Sequence, residues 1–286
     1  MSEQSSQQVS QQISQEHNPG KELAGAVAFV TGSGRGVGRA IAERLAELGA
    51  DVAIHDLDWT SPSKYDESPD LGAVVTELER FGTRIVAVTG NIGDQAAVRQ
   101  MATQIEEKLG PVSILVNCAG GDIGAAGGKP NPNNALDISL EDIQVLTNNN
   151  LIGTMLVTQT FAAGMKARGQ GTVINIASAA AHMGCSPEVV YSTLKAAVVH
   201  YTRCLAVELR PFGVRINAVS PGPTKTARFV ATRTVDPAMM DAPGSLIRYA
   251  EPAEIADAVG FLAGPHSRFI NGQVLRVDGG ITLFPG

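Results

Sequence analysis

The sequence predicts an α/β fold: a doubly wound parallel sheet of about seven strands with helices on both faces. From Ala26 onward, short β-branched runs alternate with longer amphipathic segments, the pattern of repeated βαβ units. The strand runs lack strict polar alternation, as expected when both faces of a sheet are covered. A glycine-rich loop also stands between the first run and the first amphipathic segment.

The strand candidates are Val27 to Thr31, Asp51 to Asp56, Ile85 to Thr89, Ile114 to Asn117, Thr172 to Ala177, Arg215 to Val219 and Gln273 to Val277. Between the first two, Val37, Ile41, Leu45 and Leu48 recur at helical spacing and Gly49 closes the segment. A further helix is expected to carry Tyr191 and run towards Leu209. Two stretches break the alternation, Gly120 to Leu140 and Pro221 to Ala250. Loops that leave the carboxyl ends of strands border the ligand crevice of an open sheet, so both should frame one. Residues 221–250 are expected to form a substrate lid.

At 286 residues and 44% hydrophobic composition, the chain suits one sizeable core, and a single domain is expected over 21–286. Residues 1–20, rich in Ser and Gln, read as a disordered tail without the charged and apolar regions of a secretory signal. A net charge of −6 offers no basic field for nucleic acid, and no apolar run is long enough to span a bilayer. Cys118, Cys185 and Cys204 are odd in number and lack paired spacing, which argues against a disulfide framework or a cysteine-based zinc site. Reduced thiols in the cytoplasm are expected. His182 and Cys185 are expected to line a substrate pocket, with no partner at metal-ligand spacing.

The run Thr31-Gly32-Ser33-Gly34-Arg35-Gly36-Val37-Gly38 joins a strand to a helix. Its backbone can approach a pyrophosphate closely, and the helix N-terminus adds free N–H groups and a partial positive charge. Asp56 follows Gly36 by 20 residues, at the end of the second strand. There a carboxylate can accept hydrogen bonds from adenosine ribose hydroxyls and would repel a 2′-phosphate. NAD is therefore favoured over NADP, although Arg35 is a cation able to hold that phosphate.

Tyr191 and Lys195 are four positions apart on the expected helix and share one face. A phenol ionises near pH 10, and a neighbouring ammonium would favour the phenolate needed for general-base work. Ser178 lies 13 residues before Tyr191, just beyond the fifth strand, where its hydroxyl can reach a substrate oxygen.

In the order and spacing of these motifs, the chain from about Lys21 to Gly286 resembles the short-chain dehydrogenase/reductase family, in its single-domain NAD(P)-dependent, Rossmann-type branch. Thr31 to Gly38 is similar to that family's TGxxxGxG loop. Asn117-Cys118-Ala119-Gly120 resembles its NNAG segment, with Cys118 in place of the second Asn, a departure expected to alter packing more than chemistry. The resemblance implies that Asn150 completes a proton relay through water to the lysine, and that Ser178, Tyr191 and Lys195 are catalytic. It implies that Pro221 and Gly222, with Thr224 and Thr226, hold the nicotinamide end, and that Leu57, Asn91 and Ile92 flank the adenine end. Asn91 stands where the family usually has an aspartate, and the segment Trp59 to Asp70 is longer than usual and resembles insertions that grip NAD tightly. A homotetramer is implied as well.

The function expected from all this is hydride transfer between NAD and a secondary alcohol or ketone. Asp122 and Lys129 lean towards a sugar or polyol, whereas Met183, Phe229, Met239, Met240 and Leu246 would build an apolar lid for a cyclic or aryl alcohol. The alternatives are an NADPH-dependent reductase of 3-oxoacyl or other keto substrates, and a non-catalytic nicotinamide-binding sensor or scaffold.

Overall fold

The computed structural model describes residues 20–283, so all but the last residue of the expected tail lies outside the described residues. Seven strands form one sheet: β1 (Val27–Val30), β2 (Asp51–Asp56), β3 (Ile85–Thr89), β4 (Ile114–Asn117), β5 (Gly171–Ile176), β6 (Val214–Pro221) and β7 (Val274–Val277). Their order is β3-β2-β1-β4-β5-β6-β7, and every pairing is parallel. Parallel pairing requires crossovers, and each is made over a face of the sheet. The strand order reverses between β1 and β4, which puts the crevice of a doubly wound sheet at their carboxyl ends.

The helices are α1 (Gly36–Glu47), α2 (Leu71–Leu78), α3 (Gln95–Leu109), α4 (Leu140–Thr147), α5 (Gly153–Arg168), α6 (Val189–Leu209), α7 (Ala227–Thr232), α8 (Pro237–Met240) and α9 (Pro252–Ala263). Each sheet face has its own core. Ile41 and Leu45 of α1, Val74 and Leu78 of α2, and Ile255 and Val259 of α9 pack on one face. On the other, Met101 and Ile105 of α3, Phe161 and Met165 of α5, and Leu209 of α6 pack together. This double burial is why the strands read as continuous apolar runs.

Six strand boundaries differ from expectation by one or two residues, and two of these differences have a physical reason. β1 ends at Val30, because the Thr31 hydroxyl turns to accept from the amides of Cys118 and Ala119, each at 3.0 Å. β6 continues to Pro221, because β7 pairs with it as far as Val277. The stretch 221–250, expected to be irregular, contains the short helices α7 and α8. Among the described residues no helix is long and apolar enough to cross a membrane, and all three cysteines are free.

Candidate active site

The glycine loop is built by close approach. A Cβ on Gly38 would stand 2.1 Å from the Gly32 carbonyl oxygen, and one on Gly32 would stand 2.8 Å from the Ala119 Cα. Only glycine permits such a cradle. The loop opens α1 and borders a cleft of about 380 Å³ lined by Gly32, Gly36, Gly38, Asp56, Ala119 and Thr226, among others. Arg35, Val37, Leu57, Asn91, Ile92 and Gly120 line it too. Backbone amides at a helix start, an acidic residue at the end of β2 and an elongated cleft fit a dinucleotide.

Sequence reasoning missed the residue that holds this cradle in place. His55, on β2, is buried; its Nδ1 accepts from the Gly32 amide at 3.1 Å and its Nε2 faces the Gly90 carbonyl at 2.9 Å. These partners fix the tautomer with the proton on Nε2. Burial holds the imidazole pKa below its ordinary value, against the Gly90 carbonyl and the Asp56 charge, so the ring is neutral. Only the neutral ring can accept from Gly32.

The insertion after β2 folds back over the loop as a short 3-10 turn, Ser61–Tyr65. Glu67 Oε2 accepts from the Gly36 amide at 2.7 Å, and the Glu67 carbonyl accepts from Arg39. Arg35 donates to the Ser61 carbonyl at 3.2 Å and lies over the Tyr65 ring, 5.1 Å from its centroid. Lys64 reaches across to the Gly127 carbonyl at 3.1 Å. Asp56 spends Oδ1 on the Leu57 amide at 2.9 Å, leaving Oδ2 towards Gly34. Asn91 caps the Gly93 amide with its Oδ1 at 2.8 Å, so only the second lone pair of that oxygen remains for an adenine.

The cleft continues into a second of about 390 Å³, lined by Ser178, Tyr191, Lys195, Pro221, Gly222 and Thr224. Ser178 stands just past β5, where its hydroxyl accepts from the Ala180 amide at 3.2 Å and lines the same cleft as the Tyr191 phenol. Burial raises the Tyr191 pKa; Ser178 comes first among the groups that oppose it, followed by the Arg228 charge and, more weakly, Arg233. Lys195 Nζ lies 5.7 Å from the Tyr191 ring centroid and donates to the Ile176 carbonyl at 2.9 Å. Burial lowers its pKa to about 8. The protein cations acting on the phenol are thus two arginines, one from α7 and one just beyond it, where the sequence pointed to the lysine and the cationic nicotinamide. Burial likewise pushes the Cys118 thiol up to about 11, so it stands beside Lys195 as a neutral group.

Three expected site residues line neither cleft. Ser33 is fully buried, donating to the Val30 carbonyl at 2.7 Å and accepting from the His55 amide. Asn117 turns its amide into a buried ladder, donating to Thr158 at 2.9 Å and to Asn175 at 2.8 Å, while Asn175 donates to Thr202. Asn150 is fully buried in a π turn, Asn148–Ile152, that joins α4 to α5. Its side chain is consumed by the Gly121 backbone and the Leu146 carbonyl, so it shapes the turn after β4. Such π turns occur often at functional sites.

His182 was expected in the substrate pocket, but it bonds Ser220 at 2.9 Å and does not line the cleft, whereas Cys185 does. Met183 and Phe229 line it; Met239, Met240 and Leu246 do not. Among the described residues no cluster of three His, Cys, Asp or Glu side chains could hold a metal ion.

Known proteins resemble this chain over most of its length. A family model described as enoyl-(acyl carrier protein) reductase matches residues 32–282. The chain is 36% identical to (2S)-[(R)-hydroxy(phenyl)methyl]succinyl-CoA dehydrogenase subunit BbsD of Thauera aromatica, over 91% of this chain and 98% of that one. It is 34% identical to cyclohexanol dehydrogenase of Rhodococcus sp. strain TK6, over 91% and 97%. Among solved structures, a blue fluorescent protein from a metagenomic library in complex with NADPH is 36% identical, with a TM-score of 0.76 over 92% of this chain and 100% of that one.

Proposed function

This chain belongs to the short-chain dehydrogenase/reductase family and is an NAD(P)-dependent oxidoreductase of alcohols and ketones, and from that premise we propose that it is an NAD-linked secondary-alcohol dehydrogenase with Tyr191 as its general base. The carrying observation is Ser178, Tyr191 and Lys195 lining one cleft continuous with the glycine loop, with Lys195 pinned to the Ile176 carbonyl.

The nicotinamide, when bound, supplies the hydride acceptor. Ser178 donates to the substrate oxygen, its own lone pair already engaged by the Ala180 amide. Tyr191 takes the hydroxyl proton, and Lys195, with a pKa lowered to about 8, passes it outward. Asn150 supports the path by fixing the backbone of Gly121. The Asp56 carboxylate beside the glycine loop supports NAD over NADP. A second reading, NADP-linked reduction, is favoured by Lys64 and Arg35 on the cleft wall and by the NADPH bound in the blue fluorescent protein.

We also propose one domain over 21–286, residues 221–250 acting as a lid, a cytoplasmic location and a homotetramer. Phe229 and Arg233 in the cleft wall support the lid. Phe269, Leu275 and Ile281, exposed around β7, support a subunit contact there. The test is absorbance at the reduced-nicotinamide band with a panel of secondary alcohols, NAD and NADP in parallel. Turnover with NAD is expected; a clear NADP preference overturns the role of Asp56, and tight NAD binding without turnover favours a sensor.

A further inference from the structure

The catalytic cleft holds one cation that no carboxylate answers. The cations lining it are Lys129, Lys195, Arg228 and Arg233, and the carboxylates are Asp122 and Glu188. Most of these answer one another. Lys129 pairs with Glu188 and stands 3.4 Å from Asp122, while Arg233 pairs with Glu188 at 3.1 Å. Lys195 is held by the Ile176 carbonyl.

Arg228 has no carboxylate within ion-pair distance among the described residues. Its Nη1 donates to the Gly120 carbonyl at 3.2 Å. A Cβ built on Gly121 would stand 3.0 Å from Nη1, 3.0 Å from Nη2 and 3.2 Å from Cζ, so the guanidinium packs against the Gly120–Gly121 chain at the junction of the two clefts. A guanidinium carries five donors, and most of these remain. The residue is half-buried on α7, two positions after Thr226, and lines both clefts where the glycine-loop cleft runs into the catalytic one. Its charge is felt at both Tyr191 and Lys195.

A half-buried arginine without a carboxylate partner, on the wall of the catalytic cleft, offers its donors to an anion there. The planar edge matches a carboxylate bidentately. We propose that Arg228 anchors a carboxylate of the substrate, and that the alcohol oxidised here is a hydroxy acid whose carboxylate lies a few bonds from the carbinol carbon. This rests on the dehydrogenase reading of Ser178, Tyr191 and Lys195. The carbinol C–H leaves as hydride to the nicotinamide, the O–H proton goes to Tyr191, and the C–O single bond becomes C=O. The carboxylate is unchanged, and the products are an oxo acid and the reduced cofactor.

The experiment compares the wild type with Arg228→Met and Arg228→Lys on 2-, 3- and 4-hydroxycarboxylates, their methyl esters and neutral secondary alcohols, with calorimetric titration of NAD in parallel. The readout is the acid-to-ester ratio of kcat/KM, in which any shared effect on Tyr191 cancels. For at least one chain length the wild type should prefer the acid by roughly tenfold or more, as a site built for a polar group does. Arg228→Met should abolish that preference, chiefly through KM, Arg228→Lys should keep part of it, and the NAD Kd should stay within about twofold. Equal use of acid and ester by the wild type, or a ratio unchanged in Arg228→Met, overturns the proposal. An unchanged ratio with weakened NAD binding assigns Arg228 to the cofactor instead. Turnover of alcohols and esters without acid preference leaves the dehydrogenase reading standing; no turnover across the whole panel overturns that reading, and the proposal with it.

Discussion

Glu67 places a carboxylate oxygen 2.7 Å from the amide nitrogen of Gly36, at the first turn of the helix that the glycine loop opens. That amide is one of the free donors a helix start presents to an anion. The other Glu67 oxygen is buried without a hydrogen-bond partner. A half-satisfied carboxylate at an anion site competes with the diphosphate expected there, both for the donor and by like charge. Glu67→Gln should therefore tighten NAD binding by roughly threefold to tenfold, the effect of removing about one charge interaction near a helix end. Calorimetric titration reads it, and weaker binding would mean that the carboxylate serves to hold the loop.

Asp56 offers one free oxygen towards Gly34, because its other is engaged by the Leu57 amide. Arg35 is occupied by the Ser61 carbonyl and the Tyr65 ring. Asp56→Ser removes the repulsion of a 2′-phosphate and the acceptor for a ribose hydroxyl together. The ratio of NAD to NADP efficiency should fall by at least roughly tenfold, the scale of one polar discrimination. An unchanged ratio in a parallel assay would show that the choice is made elsewhere in the cleft, with Lys64 the next residue to vary.

The sheet was legible because each of its faces is buried, so strands such as Ile114–Asn117 carry unbroken apolar pattern. Tyr191, Lys195 and Ser178 were legible because their spacing projects them towards one end of that sheet. What local pattern could not reveal were pairings closed over long loops. Glu67 meets Gly36 across 31 positions, through a turn that needs Asp66 at a φ of 56°. His55 reads as one more strand residue until its ring is seen between Gly32 and Gly90. Asn117 belonged to a recognisable motif, yet its side chain points to Thr158 and Asn175, away from the cleft. Arg228 had no motif at all, and its importance comes from the ion pairs made by its neighbours.

Tyr191→Phe removes the phenol while keeping the ring against which Lys195 packs. Turnover should fall by about 10²- to 10⁴-fold, the range for loss of a general acid–base group. The NAD Kd should stay within about twofold, since the glycine loop, Asp56 and His55 are untouched. Ser178→Ala removes the neighbouring hydroxyl that opposes the burial-raised pKa of Tyr191. The rising limb of its kcat–pH profile should move to higher pH, and a profile that kept its midpoint would separate Ser178 from the ionisation of the phenol.

Lys195 links this chemistry to stability. Burial lowers its pKa to about 8 from an unfolded value of 10.5. Between those two pH values the unfolded chain holds the proton that the folded chain has released, so folding becomes more favourable as pH rises through that window. Below about pH 8 the folded protein carries the full cost of burying the ammonium. Lys195→Met has no such proton, and its stability should lack this rise. The wild-type-minus-variant difference in unfolding free energy should accordingly shift towards the wild type by up to roughly 3 kcal/mol between pH 8 and 10.5. Urea melts of both proteins across that window measure the shift, and other titrating groups cancel in the difference. A difference that stayed constant would mean that Nζ is solvated, and would remove the reason for expecting Lys195 to release a proton near neutral pH.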